Sequence, residues 1–311
     1  MAKPRNKCVD YLVYLAVRLG AMFLHMVGIR ACYALGDLAG DAAYKFLGHL
    51  RRRALGHVQR SYPQLTPAQQ ERLARLSLRN LAYLGIEVFF TPRLITPVRW
   101  AMHIVLKNQQ ENIRLLLERK TGMIYFTGHF GNWEVVGYTM AALGFPGVAI
   151  ARPLDNPYLN EYIMGVRQRL GLRILDKKGA TEHMHEILAR KEYVSFVSDQ
   201  DAGRKGVFVN FFGRPASTQK SIALLAMSYD LPIVVGYGKR LDRNFRFEIG
   251  VARIIHPSEW ADKPDPVFWI TQEYTAAMEQ VVRSAPQQYL WAHRRWKHRP
   301  KGEPEDAEGI A

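Results

Sequence analysis

Residues Met123–Glu134 read MIYFTGHFGNWE, and the texture of this stretch decides the fold class. Four apolar residues of strand type, Met123–Phe126, run into Gly128-His129-Phe130-Gly131-Asn132, and a helical pattern starts at Trp133-Glu134. A short apolar run that ends in a glycine-bearing turn and passes into a helix is one half of a βαβ unit. The alternation continues outward. Runs of β type at 147–151, 173–175, 194–197 and 232–237 are separated by helical patterns at 132–143, 160–170, 181–190 and 219–229. A further strand is expected at 245–251 and a last helix at 266–285. The expected class is α/β, a mostly parallel central sheet flanked by helices, behind an N-terminal helical region.

The same stretch carries chemistry. A histidine and a carboxylate at the mouth of a buried strand suit a general base and the group that orients it. His129 and Glu134 are five positions apart, which on one continuous helix is roughly 500° of rotation, so they would face apart. They meet only if Gly128 and Gly131 let the backbone fold tightly between strand and helix. Asn132 is expected as the N-cap, with Glu134 in the first helical turn. The alternative is a helix-capping glutamate beside a surface histidine.

The N-terminal region differs from the rest. Tyr11–Ile29 is apolar apart from Arg18 and His25, follows Lys3, Arg5 and Lys7, and has the length of a spanning helix. A charge near its middle costs about 2.5–3.5 kcal/mol on insertion. Basic residues lie on both sides, Arg30 and Arg51–Arg53 following, so charge gives no orientation. No small-residue cleavage site follows, which argues against a secretory signal. We read a membrane-associated helix embedded in one leaflet or weakly spanning, against a buried helix of a soluble domain. Residues 1–50 are expected as two apolar helices broken near Gly28 and Gly36–Gly40. Residues 51–300 form the α/β domain, with Thr66-Pro67 opening an amphipathic helix, and 301–311 form a loose tail. The 311 residues are 48% apolar, enough for a large core, and carry a net charge of +15, which favours anionic partners. Cys8 and Cys32 are the only cysteines, which fits a reducing compartment.

Four other segments can carry function. Arg152 in ARPLDNP (151–157) follows a strand, at the edge where open α/β sheets bind ligands, and can clamp a phosphate, or pair with Asp155. The loop SDQDAGRKG (198–206) gathers Asp199, Asp201, Arg204 and Lys205; its aspartate spacing could hold a divalent metal, but no further ligand cluster accompanies it, and no metal or cofactor is expected. Phe208–Gly213 could line an acyl pocket or form a core strand. The run QQYLWAHRRWKHRP (287–300) interleaves rings with bases such as Arg294 and Arg295, a pattern suited to phosphates at a lipid headgroup boundary or in nucleic acid, or to a solvated amphipathic helix end. There is no G-x-S-x-G elbow, P-loop or G-x-G-x-x-G.

His129 and Glu134 in H-x4-E spacing resemble the H-x4-D/E motif of the glycerolipid acyltransferase superfamily. HFGNWE, ARPLDNP, SDQDAGRKGVFVNFFG and QYLWAHRRWKHRP, in this order and over nearly the whole chain, are similar to the lipid A biosynthesis (late) acyltransferases. The resemblance implies an enzyme on the cytoplasmic face of the inner membrane that moves a fatty acyl chain from acyl carrier protein to a hydroxyl of an anionic lipid A precursor. His129 then matches the catalytic histidine, Glu134 its acidic partner and Arg152 a substrate-binding arginine. Asp199 and Asp201 stand where glycerol-phosphate acyltransferases carry a P-E-G-type motif. Asn132, Arg152, Asp199, Asp201, Arg204, Arg294 and Arg295 are together expected to bind substrate. Other expectations are a phospholipid or mannosylated phosphatidylinositol acceptor with acyl carrier protein or acyl-CoA as donor, a silent membrane scaffold, and a basic nucleic-acid binder. The last leaves the apolar N-terminus unexplained, so nucleic acid is not an expected partner.

Overall fold

The computed structural model describes residues 6–176 and 179–302. Lys3, Arg5 and most of the expected loose tail lie outside the described residues. Four helices come first: α1 (Lys7–Val27), α2 (Ile29–Phe46), α3 (Gly48–Ser61) and α4 (Pro67–Leu94). Strands and helices then alternate through β1 (Ile104–Lys107), α5 (Gln110–Glu118), β2 (Met123–Thr127), α6 (Trp133–Ala142), β3 (Val148–Ala151), α7 (Pro157–Arg167), β4 (Arg173–Asp176), α8 (Ala180–Ala189) and β5 (Tyr193–Val197). A hairpin of β6 (Val207–Phe211) and β7 (Arg214–Thr218) precedes α9 (Ser221–Tyr229), β8 (Ile233–Arg240), β9 (Phe247–Ile255) and α10 (Pro266–Ser284).

The main sheet has seven strands in the order β1-β9-β8-β2-β5-β3-β4. Every pair is parallel except β8–β9, which is a hairpin. Central β2 is buried along Met123–Phe126, as a strand covered on both faces must be. The carboxyl ends of β2, β5 and β3 share one edge of this sheet, so the loops carrying His129, Asp199 and Arg152 converge there. Strand β1, helix α5 and the β6–β7 hairpin escaped the sequence reading. Strand β1 is short, and its alternating burial leaves little apolar signal. The stretch 207–218 is a separate two-stranded hairpin, not one core strand.

The N-terminal helices depart from expectation in one respect. Gly28 ends α1 at φ +79°, but Gly36 and Gly40 lie within a continuous α2. A Cβ at Gly40 would lie 2.5 Å from the Arg79 Cα, and one at Gly36 would lie 2.7 Å from the Tyr83 ring. These glycines are contact points that bring α2 against α4, not breaks. The α4 start matches expectation: the Gln69 N–H donates to the Thr66 hydroxyl and the Thr66 N–H donates to the Gln69 side chain. Helix α1 is 21 residues, about 31 Å of helix, and leaves Leu12, Leu19, Met22 and Met26 exposed. Its mid-helix charge, Arg18, donates to the Tyr14 hydroxyl and lies 5.0 Å from the Tyr162 ring of α7.

One face of α4 is polar and buried, and it ties the molecule together. Glu87 is fully buried and takes both Nε and Nη2 of Arg240, on β8, at 2.5 Å each. The Tyr33 hydroxyl of α2 donates to the same carboxylate at 2.6 Å, and the Asn132 amide donates at 2.9 Å. Asn80 accepts from Arg240 and donates to the Gln288 carbonyl at 3.0 Å. One carboxylate therefore joins α2, α4, β8 and the β2–α6 turn. Removing one partner of such a pair strands the other as a buried charge. We expect Glu87→Ala to destabilise the fold by about 3–5 kcal/mol, and joint replacement of Glu87 and Arg240 by apolar residues to recover much of that loss. Denaturant unfolding midpoints measure both; an alanine variant as stable as the parent would show the pair to be energetically idle.

Candidate active site

The turn after β2 is shaped by what cannot fit there. A Cβ at Gly131 would lie 1.9 Å from the Gly238 carbonyl oxygen of β8, and its φ is +56°. A Cβ at Gly128 would meet the Asp199 carboxylate at 2.8 Å. The Gly131 N–H donates to the Gln288 carbonyl and the Asn132 N–H to Gly238. Asn132 then caps α6, accepting the Val135 N–H at 3.0 Å while its amide goes to Glu87. Asn132 is fully buried with both ends of its side chain committed, so it builds the turn and does not line the cleft described below.

This turn presents His129 to Asp199, not to Glu134. The Asp199 carboxylate receives the backbone N–H of His129 at 2.8 Å and lies 2.5 Å from Nδ1. Asp199 comes from the loop after β5, adjacent to β2 in the sheet. Burial by itself would push its carboxyl up; the charge and two hydrogen bonds of His129 outweigh that and hold it well below the usual carboxylate range. Nδ1 is thereby taken, and Nε2 meets the Gln200 amide at 3.3 Å. The Trp133 ring stands edge-on at 4.7 Å and the His293 ring lies at 4.4 Å. Burial, with like charge from His129, pushes the His293 imidazole down to about 4, so it is neutral beside His129.

Glu134 sits in the first turn of α6 as expected, but its carboxylate is gripped by Arg167 at the end of α7, with Nε at 2.8 Å and a second contact from Nη2. The expectation that it orients the imidazole is corrected: a loop reaching across from β5 occupies Nδ1. Both side chains nevertheless line one cleft of about 720 Å³ that runs between α4, α6, α7 and the sheet. Its walls are largely apolar, with Val88, Phe89, Met140, Ile150, Leu172 and Ile174 among them. The α6 residues that line it run from Trp133 through Glu134 to Met140, the last two about 9 Å apart along the helix.

The remaining expected residues divide. Arg152 lines the cleft and is exposed, its guanidinium 3.2 Å from Asp155. Asp201 instead anchors the C-terminal segment, holding His298 Nδ1 at 2.6 Å and its N–H at 3.1 Å. Arg204 and Arg294 are exposed. Arg295 is buried and donates to the Ser217 carbonyl and the Thr218 hydroxyl, at 2.7 and 2.6 Å. The run 289–298 is neither a helix nor an open interface: Tyr289, Trp291 and Trp296 are buried against Phe211, Phe212 and Tyr62. Phe211 and Phe212 are thus packed core and do not line the cleft. Sequence reasoning missed His293, Arg167 and Gln200. His293 lay inside the aromatic-basic run and Gln200 inside the 198–206 loop, neither singled out within it, and Arg167 gave no signal.

His129, Asp199 and His293 bring possible ligand atoms within 4.8 Å of one another, but both Asp199 oxygens are engaged on the Nδ1 side of His129. The two depressed groups set a pH response. A group whose folded pKa is lowered stabilises the fold above its unfolded value and loses that contribution as pH falls through the folded one. For His293 that window runs from its ordinary 6.5 down to about 4; for Asp199 it lies below 3.8. Thermal unfolding midpoints should therefore drop between pH 6.5 and about 4, and His293→Gln should remove part of that drop; an unchanged profile in the variant would exclude His293 as its source.

The sequence matches the model of the bacterial lipid A biosynthesis acyltransferase family over residues 2–298. The lipid A biosynthesis lauroyltransferase of Escherichia coli is 26% identical over 278 residues, 88% of this chain and 87% of that protein. The palmitoleoyltransferase of the same pathway and organism is 26% identical over 275 residues, 86% of each chain. A phosphatidylinositol mannoside acyltransferase of Mycobacterium tuberculosis is 26% identical over 110 residues, 34% of this chain and 35% of that one. A turn that offers a carboxylate-held imidazole to an apolar cleft is thus carried by a chain that belongs to the bacterial lipid A biosynthesis acyltransferases.

Proposed function

We propose that this acyltransferase moves a fatty acyl chain from the thioester of acyl carrier protein to a hydroxyl of a lipid A precursor, at the cytoplasmic face of the inner membrane. One observation carries the reading: Asp199 holds Nδ1 of His129, leaving Nε2 at a largely apolar cleft of about 720 Å³. Nε2 removes the proton of the acceptor hydroxyl as its oxygen attacks the thioester carbonyl; the tetrahedral intermediate then breaks its C–S bond, and the imidazolium gives that proton to the departing thiolate. Asp199 fixes the tautomer and stabilises the imidazolium that forms. General-base assistance of this kind contributes on the order of 10²–10⁴ in rate, and holding thioester and hydroxyl together contributes much of the rest. Glu134, bound to Arg167, is in this reading a positioning residue that sets the cleft wall beside the reacting atoms. Arg152, exposed at the cleft, meets the anionic headgroup of the acceptor, and the net positive surface attracts an acidic carrier protein. The exposed apolar face of α1 lies in the membrane.

His129→Ala should retain the fold and lose roughly 10²–10⁴ of acyl transfer. Asp199→Asn should lose a comparable factor, and Glu134→Gln less, with the loss in Glu134→Gln falling more on KM. The reverse order of the two carboxylate variants would restore Glu134 as the group that orients the base. Mass spectrometry of products from purified enzyme, offered acylated carrier protein and several lipid acceptors, tests donor and acceptor together; acylation of a mannosylated phosphatidylinositol with none of a lipid A precursor would overturn the acceptor. Deleting residues 1–27 should reduce co-flotation with anionic vesicles, and unchanged flotation would remove α1 as the anchor.

A further inference from the structure

The lone pair that the proposed reaction needs is already occupied. The buried Asp199 carboxylate takes the Nδ1 side of His129, so the neutral ring carries its proton at Nδ1 and Nε2 is a bare acceptor. Whatever meets Nε2 must therefore donate. Gln200 does so through its amide N–H, at 3.3 Å. Its place in the chain suits a group that is held and then released. Asp199, before it, is fixed to His129, and Asp201, after it, is fixed to His298 and to the Gly203 N–H. The backbone at Gln200 is thus pinned on both sides. The side chain is exposed, lines the cleft and has no other hydrogen-bond partner among the described residues.

We propose that Gln200 is a displaceable cover on the base: its amide donates to Nε2 until the acceptor hydroxyl takes its place, and until then it keeps water from being activated there. The inference rests on His129 acting as the base of the acyl transfer proposed above. A thioester held beside an uncovered imidazole is open to hydrolysis. Water adds to the carbonyl as Nε2 takes one of its protons, the C–S bond breaks, and that proton passes to the thiolate, leaving a fatty acid and a free thiol. The amide opposes this because the exchange offers water no gain. One neutral hydrogen bond replaces another, and the water is immobilised. An acceptor lipid differs, since contacts made by the rest of the molecule help to seat its hydroxyl. A neutral hydrogen bond is worth about two- to tenfold in an equilibrium. That is strong enough to bias the choice between water and hydroxyl, and weak enough to be displaced. Gln200 acts through His129 and is a positioning residue.

Purified enzyme is given acylated carrier protein with and without acceptor, and fatty acid release and acyl transfer are followed by mass spectrometry. Gln200→Ala should raise hydrolysis without acceptor by about two- to tenfold, lower the acceptor KM by a similar factor because nothing has to be displaced, and leave kcat for transfer close to that of the parent. Gln200→Glu keeps the reach but replaces the donor with an anion, which pairs with the imidazolium at Nε2 and removes the lone pair. Hydrolysis and transfer should then both fall by at least about tenfold near neutral pH. A merely structural role would move the two variants in the same direction. Unchanged hydrolysis and acceptor KM in Gln200→Ala, loss of transfer in that variant, or Gln200→Glu behaving like Gln200→Ala overturns the cover. His129→Ala separates this from the reading beneath it. If hydrolysis and transfer both survive in His129→Ala, the base assignment fails and the cover with it; if both vanish there while the Gln200 variants match the parent, only the cover fails.

Discussion

The Glu87–Arg240 pair is the constraint on which the rest depends. A carboxylate and a guanidinium taken wholly out of water must satisfy each other, because desolvation costs several kcal/mol per ion. Glu87 lies on the long helix α4 and Arg240 at the end of β8, so pairing fixes that helix against that strand. The carboxylate has capacity left, and Tyr33 and Asn132 use it. Asn132 is also the residue that starts α6. The position of the β2–α6 turn is thereby coupled to a helix some forty residues earlier in the chain, through hydrogen bonds in a dry interior.

The site inherits its geometry from this frame. Gly131 lets the chain pass within contact of β8, and Gly128 leaves room for Asp199. With the backbone so placed, the Asp199 carboxylate can grip the His129 main chain and ring at once, which fixes tautomer and orientation in one step. The C-terminal segment closes the site from the other side. Tyr289 bridges to Phe130, and Leu290 donates its N–H to the His129 carbonyl. Arg295 and His298 lock that segment to the 198–218 region. Arg295 and His298, which looked like part of a phosphate-binding surface, belong instead to the clasp that packs behind His129.

The contrast between Glu134 and Asp199 shows where sequence reading succeeds and where it stops. The strand, the glycine turn, the N-cap at Asn132 and the helix carrying Glu134 were all legible, because each depends on residues within a few positions of one another. The hydrogen-bond partner of His129 was not, because it arrives from a neighbouring strand 70 positions away. The spacing drew attention to the nearest carboxylate, while Arg167 had already claimed it. The run at 287–300 misled for a different reason. Interleaved tryptophans and arginines suit a lipid boundary and a tight aromatic core equally well, and only the hairpin at 207–218 decides between them by supplying Phe211 and Phe212 as packing partners.

Apolar periodicity, turn chemistry and helix caps act over short distances, so the sequence by itself determined the alternation of strands and helices, the parallel class of the sheet, the apolar first helix and the location of His129 at a strand end. The identity of its partner, the sealing of Asn132 and Arg295 into the interior, and the approach of His293 were decided only by tertiary structure. Which buried polar groups meet depends on which distant segments share a dry space, and no local pattern encodes that.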